Sequence, residues 1–269
     1  MDIAAAADES ALLAAFAAVE EVQRLMSYHD PLSEVSRLNR EADRPPVAVS
    51  TWTAQVLVLA QRLARESDGA FDITVAPQLA AMGFLPRTPA NRRGERLASW
   101  RDLVLLPGNR VFFKRPLHLD LGGIAKGFAV DRAVDALLAA GAVNGCVNAG
   151  GDLRVFGDAP QTIHLRHPAQ PAAMVRALTL RDAAVATSSG YFSRKQWRGS
   201  TVCALLDGRT RQPAAVRHSA SVIAPTAALA DALTKIVLFA RPSLSTALLA
   251  RHDAACVLLD VAGKTLRAA

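Results

Sequence analysis

The chain has 269 residues, 51% of them hydrophobic and 5% aromatic, enough for one large core or two small ones built mostly from small aliphatic side chains. Its 31 lysines and arginines against 24 acidic residues give a net charge of +7, but no run of five or more basic residues occurs. That argues against a nucleic-acid groove and leaves phosphorylated small molecules as natural partners.

No stretch of eighteen apolar residues is present, so no helical membrane span is expected. The cysteines, Cys146, Cys203 and Cys256, lack CxxC or metal spacing and read as reduced core residues. Near the amino terminus Asp2, Asp8 and Glu9 stand without a basic region or a long apolar one, which is not a secretory signal as written. The expected location is cytoplasmic, or periplasmic if an export segment was removed.

From Ser10 to Ser27, Leu12, Phe16, Val19, Val22 and Met26 recur at three- and four-residue steps, which predicts an amphipathic helix. Asp30-Pro31 makes a turn, and Ser33 is placed to cap a short helical segment holding Glu34, Ser36 and Asn39. After Pro45-Pro46 a second long helix runs from Ser50 to Glu66 through Val56, Leu59 and Leu63. SDGAFDITV reads as a turn and a strand. Pro77 to Phe84 passes into a proline- and arginine-rich loop, Leu85 to Arg96, expected to be mobile. Residues 101 to 121 read as a hairpin about Pro107-Gly108-Asn109.

Leu119 to Gly157 carries the most chemistry. It reads as a strand ending in Asp120, a Gly122-Gly123 turn, and a helix from Ile124 to Ala140 with Val130, Val134, Leu137 and Leu138 on one face. Gly141 stops that helix, and a further strand follows with Asn148-Ala149-Gly150-Gly151-Asp152 in it. Glycines allow a ligand close to the backbone, and Lys126 on the first helical turn adds charge beside free N–H groups, which favours phosphate. A plain βα turn with a solvated lysine fits the same residues. The spacing matches neither a P-loop nor a G-x-G-x-x-G fingerprint.

Downstream, TIHLRHP, VRALTL, AAVATSSGYF, TVCALLD and ASVIAP are short β-like runs at the spacing of an antiparallel sheet. Leu229 to Ala240 is a helix carrying Asp231, and the tail adds a short helix and a strand at Ala255 to Leu259. The whole predicts an α+β fold, one domain over residues 1–269, with an antiparallel sheet and interspersed helices.

Six blocks in order, MSYHDPLSEVSRLN, SDGAFDITVAPQL with AMGF, LDLGGIAKGFAVD, VNAGGDLRVFG, ATSSGYFSR and SVIAPTAALADAL, resemble the signature blocks of the FAD:protein FMN transferase (ApbE) family. The resemblance runs from about Ala14 to Leu238. It implies an ApbE-type, T-fold-like domain that splits the pyrophosphate of FAD, joins FMN to a Thr or Ser hydroxyl of a target flavoprotein, and releases AMP. By the same resemblance Met26, Ser27, Tyr28, Phe71, Asp72, Gly83 and Phe84 touch the flavin, and Asn39 helps decide between hydrolysis and transfer. Asp120, Gly122, Lys126, Asn148, Gly150, Gly151, Asp152, Thr187, Ser188 and Gly190 match the stretches around adenosine and pyrophosphate. A Mg²⁺ ion is implied on the Gly123 carbonyl and Asp231, with a threonine four residues further on.

The chain departs from that pattern. The second metal position is Lys235, whose ammonium cannot ligate a cation, and Thr234 points about 100° away round the helix. The histidine of the family's HIIDPRTG block is Ala204, its proline Gly208 and its last glycine Arg211. His218, nearby, reads as structural or solvated. The family's opening Met-Gly-Thr strand is also missing from the pattern. Two classes fit these residues: a working transferase in which Asp231, Lys235 and Asn39 act, and a catalytically impaired FAD-binding homologue that carries flavin or serves as a scaffold.

Overall fold

Alternation along the strands assembles the molecule from one large sheet. The computed structural model describes residues 1–87, 98–170, 172–213 and 218–268; from residue 88 onward the loop expected to be mobile lies outside the described residues. In chain order, β1 (Asp2–Ala5) leads into α1 (Glu9–Met26), α2 (Glu34–Glu41), β2 (Val47–Ala48), α3 (Thr51–Glu66) and α4 (Ala76–Ala81). The hairpin of β3 (Leu103–Leu106) and β4 (Arg110–Phe113) precedes α5 (Ala125–Ala139), β5 (Gly145–Ala149) and β6 (Asp152–Phe156). Then come β7 (Gln161–Arg166), β8 (Met174–Leu180), β9 (Ala183–Ser189), β10 (Lys195–Trp197), β11 (Ser200–Val202) and β12 (His218–Ala224). The chain closes with α6 (Ala227–Phe239), α7 (Pro242–Arg251), β13 (Ala255–Asp260) and β14 (Thr265–Ala268).

The main sheet has the order β1-β5-β6-β9-β12-β13-β14, antiparallel throughout, which bears out the α+β expectation. On one face Ala184 and Ala186 of β9 and Ala220, Val222 and Ala224 of β12 join the core beneath α5 and α6. On the other, Leu153, Val155 and Val185 pack with Ile163 and Leu178 of the β7–β8 hairpin. The alanines let α6 lie close to the sheet. Gly127 stands where α5 meets α6, and a Cβ there would collide with the Ala227 carbonyl. α1 lies outside α5 as a further layer.

Local chemistry sets the helix starts as expected. Ser33 Oγ accepts from Ser36 N at 3.0 Å, and Ser50 Oγ from Thr53 N at 3.2 Å. At α1 the buried stripe differs from the expected one. Ala11, Ala15, Val22 and Met26 face inward, while Phe16 stays 40% exposed, because close packing on α5 suits alanine better than an aromatic ring. Leu138 likewise faces outward.

Three strand readings are corrected. An opening strand is present: β1 pairs with β5, Asp2 opposite Asn148. SDGAFDITV forms no strand; its backbone is held by Asp72, whose Oδ1 accepts from Thr74 N at 2.9 Å and Oδ2 from Trp100 N at 3.3 Å. Nor is the segment before the Gly122-Gly123 turn a strand. Its partner is one side chain, since Asn39 Oδ1 accepts from Leu119 N at 2.7 Å and Asn39 Nδ2 donates to Leu119 O at 3.0 Å. Ile73 O then accepts from Asp120 N at 2.8 Å, which sets Asp120 at the mouth of the turn. Pro77 to Phe84, read as a passage into the loop, begins with α4.

Candidate functional site

Two cavities meet over the glycine turn. The first, of about 300 Å³, lies between the irregular segment at Phe71–Val75, the turn after α4 with Phe84 and Leu85, and the wall of Ala204, Leu205 and Leu206. The second, of about 430 Å³, is roofed by the end of α1 and the residues after it, Met26, Ser27, Tyr28 and His29. Leu85, Asp120, Gly122 and Lys126 line both. The junction is therefore a carboxylate, a glycine and an ammonium at the start of α5.

The chain builds that junction from local rules. Asp120 Oδ1 accepts from Gly122 N at 3.1 Å, closing a short side-chain turn. Leu121 O accepts from Ile124 N and Ala125 N and starts the helix. Lys126, one residue on, reaches Asp152 Oδ2 at 2.8 Å, where β6 begins. Asp152 Oδ1 accepts from Thr187 N at 3.3 Å. From the opposite side α6 presents Asp231 and, one turn later, Lys235. The Lys235 ammonium bonds to Asp231 Oδ1 and, at 3.0 Å, to the Asp231 carbonyl. It also lies against the glycine turn: a Cβ on Gly123 would stand 3.3 Å from Lys235 Cε.

Burial pushes the Asp120 carboxyl above the usual aspartate range, against the Gly122 N–H and the nearby His29 and Lys235. Burial, then the Asp231 charge, push Asp152 up as well, with Lys126 and Lys235 opposing. Burial works against the Lys126 ammonium, but the Asp152 and Asp231 charges outweigh it and raise its pKa. Asp72 is also raised by burial, with Arg211 Nη2 at 3.0 Å from its Oδ2 pulling the other way.

Comparison with known proteins places this arrangement. The ApbE family profile matches residues 1–258. The chain belongs to the ApbE family. A Vibrio cholerae protein named FAD:protein FMN transferase is 32% identical over 208 residues, which is 72% of this chain and 62% of that relative. A Haemophilus influenzae protein of the same name is 30% identical over 81% of this chain and 69% of its own length. The crystal structure of an ApbE protein from Thermotoga maritima superposes with a TM-score of 0.85 at 27% identity, covering 98% of this chain and 91% of the other.

Set against the ApbE blocks, the residues fall into three groups. Phe71, Asp72, Phe84, Asp120, Gly122, Gly123, Lys126, Asp152, Thr187, Ser188, Asp231 and Lys235 line the first cavity. Met26, Ser27 and Tyr28 line the second, so the residues expected on the flavin divide between the two cavities. Outside both linings stand Asn39, Gly83, Asn148, Gly150, Gly151 and Gly190. Asn39 spends both amide groups on Leu119, and Gly83 O accepts from Lys195 Nζ at 2.9 Å. That ammonium lies 4.8 Å over the Phe84 ring and so holds the turn that brings Phe84 to the cavity. Asn148 Oδ1 accepts from Gly151 N at 2.8 Å, shaping the β5–β6 turn. Thr234 is buried on Ser188 Oγ, at 2.6 Å, and on Asp231 O. His218 is exposed at the start of β12, in neither lining.

Some contributors were not singled out from sequence. His29 stands inside the first block and lines the second cavity beside Asp120. Asp131, nearly fully buried on α5, accepts from Ala227 N and Ala228 N, both at 2.9 Å, and so fixes the start of α6. An aspartate on the helix face expected to be apolar was the available signal.

Proposed function

We propose that the chain is an FAD:protein FMN transferase that attaches FMN from FAD to a Thr or Ser hydroxyl of a target flavoprotein and releases AMP. One observation carries the reading: two cavities, each large enough for a ring system, share a wall made of Asp120, Gly122 and Lys126. A dinucleotide is that shape, two rings joined by a diphosphate. Its diphosphate would lie on the first turn of α5, where free N–H groups and the Lys126 ammonium favour phosphate. The names of the Vibrio and Haemophilus relatives point to the same activity.

Cleaving a phosphoanhydride requires an in-line hydroxyl and neutralised charge on both phosphates. Lys126 supplies part of the charge, and the bonds from Asn39 to Leu119 hold the segment that aims Asp120. With Ala204 at the histidine position of the ApbE pattern, a wall carboxylate takes the hydroxyl proton. Asp120, raised and outside any ion pair among the described residues, suits that role.

The residues fit the Mg²⁺ that the resemblance implies, on one atom. Asp231 is 3% exposed, and its Oδ2 is buried with no hydrogen bond from the described residues. Mg²⁺ is commonly held by one or two carboxylates plus substrate phosphates. Asp231 would hold it here, and the ion would neutralise charge on the diphosphate.

The test is a fluorescence titration with FAD, FMN and NAD, followed by incubation with FAD and a threonine-bearing peptide. FAD should bind most tightly, and the peptide should gain one FMN phosphoester as AMP appears. Equal binding of the three, or none of FAD, removes the reading; FAD binding without peptide modification or AMP leaves the impaired homologue.

A further inference from the structure

We infer that this protein takes its divalent cation together with the diphosphate and does not hold the ion beforehand, and that Lys235 imposes the order. The inference rests on the preceding reading only for the source of the diphosphate. Among the described residues of this wall, Asp231 has a buried carboxylate oxygen with neither a hydrogen bond nor an ion pair. Its Oδ1 and its backbone carbonyl are engaged by the Lys235 ammonium, its Oδ2 is buried and unbonded among the described residues, and the residue lines the cavity. The other deep carboxylate, Asp152, is taken by Lys126 and Thr187 N. Among the described residues no group of three or more His, Cys, Asp or Glu side chains is placed to hold a metal.

Mg²⁺ seeks about six oxygens and sheds water reluctantly. A single carboxylate oxygen with an ammonium on its sister atom offers too little, because the ammonium repels the ion it adjoins. The diphosphate alone is also badly served. When all are ionised, Asp72, Asp120, Asp152 and Asp231 outnumber Lys126 and Lys235 by two charges in this lining, and Arg211 on Asp72 offsets one of them. A diphosphate would deepen that deficit, and a divalent ion arriving with it cancels the addition while the phosphate oxygens complete the coordination. Each ligand therefore favours the other, which is a positive coupling between them, and it is reciprocal. Removing the ammonium weakens the coupling from the metal's side.

The experiment uses Mn²⁺ as the reporter ion and ADP as the diphosphate. Bound Mn²⁺ is read by electron paramagnetic resonance and water-proton relaxation, with ADP-only controls for chelation in solution. Wild type should bind Mn²⁺ about 30-fold more tightly with ADP than without. Lys235→Thr should bind Mn²⁺ without ADP at least about tenfold more tightly than wild type does, so that ADP adds only a few-fold. Lys235→Arg keeps the charge and should behave as wild type, which preserves the test if the threonine variant does not fold. Equal Mn²⁺ affinity with and without ADP in wild type overturns the inference, as does a threonine variant that gains nothing or an arginine variant that gains as much. If Mn²⁺ and ADP are coupled but FAD does not bind, the flavin reading falls and this inference stands.

Discussion

Two carboxylates placed by the same pair of helices, Asp131 and Asp231, are each 3% exposed, and they are surrounded in opposite ways. Asp131 is saturated: Oδ1 takes Ala227 N and Arg154 Nη1, the latter at 3.2 Å, and Oδ2 takes Ala228 N. Those N–H groups open α6, so the carboxylate also meets the positive end of the helix dipole. Asp231, one turn along α6, has an ammonium on one oxygen and nothing from the described residues on the other. A buried charge with every acceptor filled holds elements together; one left half-filled is destabilising unless a ligand completes it. The first aspartate is thus a fastening for the second.

The largest effect should come from breaking the fastening. Asp131→Ala strands the Arg154 guanidinium and two helix-opening N–H groups, and should cost about 4 kcal/mol in urea denaturation. Asp231→Ala removes a carboxylate already half unsatisfied and should cost less than half as much. Equal costs would mean that the two environments do not differ energetically. Next in size is Gly127→Ala, where the new methyl meets the Ala227 backbone and not a yielding side chain. Prising α5 from α6 should cost roughly 2 kcal/mol and weaken FAD binding, since Lys126 and Asp231 ride on different helices. A variant with unchanged melting temperature and FAD affinity would show that the crossing tolerates displacement.

That pairing of a satisfied and an unsatisfied aspartate was only half legible in the sequence. Lys235 and Asp231 sit four apart on a predicted helix, and such a spacing announces its own contact. Asp131 meets Ala227 and Ala228 from 96 and 97 residues away, a distance that no local pattern spans. The same division runs through the fold. The Ser33 cap, the helix start at Ser50, the turn at Gly108 and the alternating strands are short-range and readable. The segment ending at Asp120 has the composition of a strand, yet its backbone partners are the Asn39 side chain and Ile73 O. β1 is not legible locally, because Asp2–Ala5 has little β-branched character and is a strand only through its pairing with β5. The motif residues of the cavities were legible as types, and their ion-pair partners were not.

The smallest effect concerns Asp120, which stands between the two cases: it has one N–H, from Gly122, and no ion pair among the described residues. Burial raises its folded pKa above 3.8, the ordinary value, so between that pH and the folded pKa the native protein keeps a proton that the unfolded chain has released. Stability therefore falls as pH rises through this window, and above it the full penalty of an ionised, buried carboxylate remains. Asp120→Asn keeps an oxygen for Gly122 N and removes the penalty. The variant should melt with wild type near pH 3.5 and about 2 °C above it at pH 7, while losing FMN transfer through loss of the proton acceptor. The check is the difference in melting temperature followed from pH 3.5 to 7. A difference that shrinks with rising pH would mean that the Asp120 charge is compensated in the native protein.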